Sequence, residues 1–114
     1  LKYINTYHDI VYDKNIITTT GATTTISLAN ASYMVVTANL ATDFTFANME
    51  EGVVYSIMIN VTGTPNLRFM NLLTQAGAKL NMVSGKNVIR VMKDDGSTNA
   101  ILLSSSLDVS QYSY

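Results

Sequence analysis

Few side chains in this chain can do acid–base or metal chemistry, and their spacing decides what each pair can do. His8, the single histidine, precedes Asp9. Adjacent residues on a strand point to opposite faces, so the two cannot work together as an acid–base pair, and a His-led triad would need partners from elsewhere. His8 therefore reads as a surface or interface residue. Glu50 and Glu51 are the only glutamates. Glycosidase carboxylates face each other across roughly 5 to 9.5 Å of cleft, which two neighbours in one loop do not do by themselves, so the pair reads as solvated loop. Asp94 and Asp95 offer oxygens to calcium, but the ligand spacing of an EF-hand is missing, and Gly96 behind them makes the stretch a hairpin turn. Gly63, Gly77 and Gly85 fit neither a Walker loop nor a dinucleotide fingerprint. With no cysteine in the chain, disulfides and thiolate metal sites are excluded. The six methionines sit mostly on or beside expected strands and read as gap-filling core. Asn30-Ala31-Ser32 and Asn60-Val61-Thr62 match the glycosylation triplet, which arises by chance in a Thr- and Asn-rich chain, and the second lies inside an expected strand. No catalytic, cofactor-binding or metal-ligating residue is assigned. The chain reads as non-enzymatic with no cofactor, and ligand-binding positions are not legible.

The elements that would position any site are strands. Residues 52–65, GVVYSIMINVTGTP, alternate so that Val53, Tyr55, Ile57, Ile59 and Val61 share one side, while Val54, Ser56, Met58 and Asn60 share the other. Turn chemistry bounds them, Glu51-Gly52 before and Thr62-Gly63-Thr64-Pro65 after. So aliphatic a face requires a second layer. Residues 1–12 are aromatic-rich and read as an extended arm. Five of the seven tyrosines fall there or in the last three residues, which suits packing against something outside the domain. Residues 16–20 and 23–28 read as a hairpin about Gly21-Ala22, with Ile26 and Leu28 on one side. Strands follow at 33–38, which looks covered on both faces, and at 42–47, with Phe44 and Phe46 inward. Further strands are expected at 66–70, 80–83, 86–93 and 99–104. Residues 71–79 read as a loop or one turn, because Gly77 weakens their modest helical character. Asp94-Asp95-Gly96-Ser97 is the strongest hairpin turn, and no internal repeat is evident. The expected fold is all-β, a β-sandwich or jelly roll of about eight or nine short antiparallel strands. It divides into an arm at 1–14, a sandwich domain at 15–104 and a tail at 105–114.

Composition narrows the partners. One domain and one core suit 114 residues. Charged residues are 13% against 47% hydrophobic, about half the usual charged share, so the surface tolerates being covered by a neighbouring subunit. A net charge of −1 without a basic run argues against nucleic acid and anionic membrane as partners. No apolar run approaches the roughly 18 residues that cross a bilayer, and no basic-then-apolar leader opens the chain. Because the chain opens on Leu1 rather than Met, further polypeptide upstream is expected.

The order of these parts carries a resemblance. A Thr-rich strand pair leads to DFTFAN at 43–48, then to EGVVYSIMINVTG at 51–63, NLRF at 66–69 and GKNVIRVMKDDG at 85–96, closed by a hairpin strand. Over 21–103 this resembles the β-rich modules of bacteriophage tail fibres, tail spikes and related virion appendages. Many such modules carry tryptophan near the position of 69–73, and this chain has none. No binding residue is carried over, because the family shares architecture more than a site. The resemblance implies a structural or attachment module on the phage particle surface (tail fibre, spike or head decoration). It further implies a homotrimer about the fibre axis, with other virion proteins and a host-surface glycan as partners. Met34, Met58 and Met70 are the apolar positions expected to pack between subunits. The alternative is a carbohydrate-binding or adhesin domain of a bacterial surface protein.

Overall fold

The computed structural model describes residues 14–18 and 22–112. Nine strands run through them: β1 Lys14–Thr18, β2 Thr23–Ser27, β3 Tyr33–Ala38, β4 Thr42–Ala47, β5 Val54–Val61, β6 Leu67–Phe69, β7 Leu72–Leu73, β8 Gly85–Lys93 and β9 Ala100–Val109. A single 3-10 turn at Gln75–Gly77 is the one helical element among them. The strands form two curled sheets, one ordered β1-β3-β5-β8-β9-β7 and the other β2-β4-β6. The expected arm at 1–14 lies outside the described residues except for Lys14.

The all-β class and strand number are as expected, but the antiparallel pairing is not. β1 lies parallel to β3 and β3 to β5, while β2 lies parallel to β4 and β4 to β6. Only β5 with β8 and β8 with β9 pair antiparallel. From β1 to β6 the chain alternates between the two sheets, so each strand lies beside the strand two before it. Parallel neighbours cannot be joined by a tight hairpin and need a crossover of a dozen or more residues. Here the strand in the opposite sheet is that crossover. β1 and β2 therefore lie in different sheets and are not the two arms of the expected hairpin; Gly21 itself lies outside the described residues. The coils also amount to a structural repeat: partners are offset by 19 residues (Lys14 to Tyr33), 20 (Thr23 to Asp43), 23 (Tyr33 to Ser56) and 25 (Thr42 to Leu67).

One core lies between the sheets. β5 turns Tyr55, Ile57, Ile59 and Val61 inward, at most 6% exposed, each worth about 2 kcal/mol relative to remaining wet. They meet Met34, Val36 and Ala38 of β3, Ile89 and Val91 of β8, and Ile26, Phe44 and Phe46 from the opposite sheet. Phe69 closes this layer, stacked on Phe44 at 5.3 Å and on Phe46 at 5.8 Å between ring centroids. The three methionines expected between subunits are divided by the strand faces. Met34 is buried in this core, Met58 is half-buried on the outer face, and Met70 is 58% exposed.

The remaining differences have local causes. No strand forms at 80–83: Leu80 and Met82 pack on the core, while both backbone groups of Val83 bond to the Asn87 side chain, at 3.5 Å to Oδ1 and 2.8 Å from Nδ2. The 94–97 turn forms as expected, with Gly96 at φ 75 and Asp94 N–H donating to Asn99 O at 2.9 Å. The last strand runs to Val109, so residues 105–109, expected as tail, belong to β9.

Candidate functional site

The residues singled out for chemistry are scattered by the fold. His8 and Asp9 lie outside the described residues. Glu50 and Glu51 occupy the turn before β5. The Glu50 backbone N–H donates to Tyr55 Oη at 2.8 Å, a bond that lets the buried tyrosine fix the turn. The Glu51 carboxylate accepts from Gly96 N–H at 3.4 Å and stands 3.9 Å from Lys93 Nζ. Glu51 thus ties the turn before β5 to the 94–97 turn, while Glu50 contributes only its backbone to the first. Asp94 and Asp95 form the hairpin turn, and no three His, Cys, Asp or Glu side chains among the described residues gather as a metal site would need.

The clearest charged feature is one that sequence reasoning missed. Asp43 and Arg68 face each other in register on β4 and β6 and join by two bonds, Nε to Oδ1 and Nη2 to Oδ2, both 2.7 Å. Asp43 is more acidic than an ordinary carboxylate because of the hydrogen bond from Arg68. Partial desolvation opposes this fall and the guanidinium charge adds to it. Arg68 is correspondingly held more basic by the same bond. Such an exposed bidentate pair sets strand register more than stability. Its residues are 25 apart in sequence, and only the coil offset would have revealed them as neighbours.

Two recesses flank this pair. One of about 300 Å³ includes Thr23, Thr42, Asp43, Asn66 and Arg68. The other, about 470 Å³, lies along β6 and the following loop, with Leu67, Phe69, Leu72 and Leu80 as apolar wall and Arg68 and Lys79 as cations. Asn71 closes the end of the β4–β6 pair: it accepts from Phe46 N–H at 2.9 Å and donates to Phe46 O at 3.0 Å and to Thr98 O at 2.8 Å. A side chain thereby completes a ladder that the backbone has left.

Asn87 does comparable work inside. Fully buried, it donates to the carbonyls of Ile59, Val83 and Gly85 and accepts from Asp108 N–H at 3.3 Å. It anchors β9 to the body at the point where β9 kinks, with Asp108 at φ 53. Residues 103–109 of β9 are all exposed, and Leu103, Leu107 and Val109 are 46%, 39% and 40% accessible. The only charge on the whole strand is Asp108. Among the described residues the surface offers an exposed apolar strand end and two recesses. No helix among the described residues is long and apolar enough to cross a membrane. No family model, curated protein or solved structure matches the chain.

Proposed function

We propose that the chain is a non-enzymatic structural or attachment module of a phage virion appendage, working by assembly with copies of itself as a homotrimer and with neighbouring virion proteins at the particle surface. The observation that carries this reading is the exposed half of β9, which presents leucine and valine to solvent with one charge over its length. Apolar surface of that kind marks a place of association. The order of sequence motifs over 21–103 supports the virion setting. The two-layered core is taken as a β-sandwich whose first six strands wind as parallel coils, a form that presents continuous outer faces to neighbours.

A second reading, a carbohydrate-binding or adhesin domain of a bacterial surface protein, has in its favour the recess along β6, where an aromatic ring lies beside polar and cationic groups. Antibody labelling separates the two. The first reading expects label on the appendages of purified phage particles and none on uninfected cells. Label on uninfected cells, with glycan binding that Phe69→Ala abolishes, would replace it by the second.

A further inference from the structure

Among the described residues, the unpaired edge of β9 has a bounded length. β8 takes one edge of the strand. On the other, β7 pairs only Leu72 with Ala100 and Leu73 with Ile101, and at Asp108 the backbone turns left-handed. Between these limits lie Leu102, which packs against the core, and Leu103-Ser104-Ser105-Ser106-Leu107, the latter exposed at every residue. Monomeric proteins guard such an edge with lysine, proline, an inward charge, a β-bulge or a covering element. This segment holds no charge and no proline, and the register shifts of the β8–β9 ladder fall at its two ends, between the Ser104 and Leu102 pairs and between the Ser106 and Val109 pairs, so that 104–106 is its regular part.

The same segment reads identically in both directions. Two identical strands paired antiparallel are related by a two-fold axis, so that if residue i faces j, then j faces i. With the axis at Ser105, Leu103 faces Leu107, Ser104 faces Ser106 and Ser105 faces its own copy. Each apolar side chain meets an apolar one and each hydroxyl meets a hydroxyl, the matched pairs that stabilise neighbouring strands. We propose that residues 103–107 are a self-recognition edge, to which a second copy of this chain adds its own β9 antiparallel about Ser105. The proposal rests on the self-assembly in the function above and names one of its contacts. Being two-fold, the contact closes on two edges and joins single chains, or trimers, in pairs.

The chain has no cysteine, so one thiol can report the register. Directly opposed residues of an antiparallel pair have Cα atoms about 4.5 to 5.5 Å apart, within the span of a disulfide. Under mild oxidation Ser105→Cys is expected to form a covalent dimer several-fold faster than Ser104→Cys or Ser106→Cys alone, whereas mixing those two variants yields the mixed dimer. In sedimentation, Leu103→Lys with Leu107→Lys is expected to abolish the pairing by setting lysine against lysine, and Leu103→Lys with Leu107→Glu to restore it. Equal crosslinking of the three single variants, or pairing that survives the double lysine change, overturns the proposal. A chain that assembles on virions yet fails these tests keeps its proposed function and loses this contact. Register-specific crosslinking in a protein absent from particles has the opposite meaning.

Discussion

Asn87 is the side chain whose loss should be felt most widely for its size. Its amide satisfies carbonyls on β5 and on the loop before β8, and holds the kinked end of β9. Replacement by leucine of similar volume leaves those buried groups without partners, at about 1 to 3 kcal/mol for each one that water cannot reach. Asn87→Leu is accordingly expected to lower stability by about 3 kcal/mol in urea unfolding, with proteolysis near 108 increased. A result within about 0.5 kcal/mol of wild type, the range of an inconsequential surface change, would mean that those carbonyls are solvated. Asp43 gives a smaller, pH-dependent signal. A carboxyl more acidic in the folded state adds stability that is complete above its unfolded pKa and is lost as pH falls through its folded value. Wild type is expected to exceed Asp43→Asn slightly at neutral pH, with the gap closing in acid and narrowing in high salt. Unfolding midpoints across pH would check this, and a gap that widens in acid would contradict it.

Among the elements, β5 allows the cleanest contrast. Ile57 is fully buried and its neighbour Met58 lies half-buried on the outer face. Ile57→Ala is expected to cost about 3 to 4 kcal/mol and Met58→Ala less than about 1 kcal/mol in dilute solution, since only the first opens a cavity. The bulge between β8 and β9 offers another. Gly85 sits at φ 111, and a Cβ there would come within 2.7 Å of Asp108 Oδ1. Gly85→Ala is expected to cost about 2 kcal/mol from the strained backbone together with the clash, and Asp108→Gly should relieve the clash alone. Full rescue by Asp108→Gly would show that backbone strain at residue 85 contributes nothing.

Most strand positions were legible in the residues, 80–83 and β7 excepted; residues 33–38, expected covered on both faces, bury only Met34, Val36 and Ala38, and pairing was not legible. Residues 33–38 and 42–47 were expected as strands and are β3 and β4, because alternation of side chains reports directly which face is buried. Alternation says nothing about which strand lies alongside or in what direction. In sequence, a short Gly-containing stretch between two strands reads the same in a hairpin as in a passage between sheets. The clue to parallel coils was the recurrence of Ile26 opposite Phe46 and Val36 opposite Ile59, and offsets drifting from 19 to 25 residues blur that recurrence. Serine at 104–106 hid the continuation of β9, since these residues lack the β-branched and aromatic character by which strands are recognised. The Asp43–Arg68 pair and the recesses follow from coil stacking and were hidden with it.

For the molecule as a whole, six strands wound in two sheets bury one face of each layer and leave the outer faces and the end of β9 for other contacts. The low charge of the chain gives those surfaces little cost of desolvation on association. The proposed self-assembly therefore expects more than one chain per particle in solution. Sedimentation equilibrium of the 114-residue protein over a wide concentration range measures this directly. The expected result is a mass several times 12.4 kDa, falling toward that of a smaller unit when Leu103 and Leu107 are both changed to lysine. A mass of one chain at every concentration would contradict self-assembly as the basis of its function.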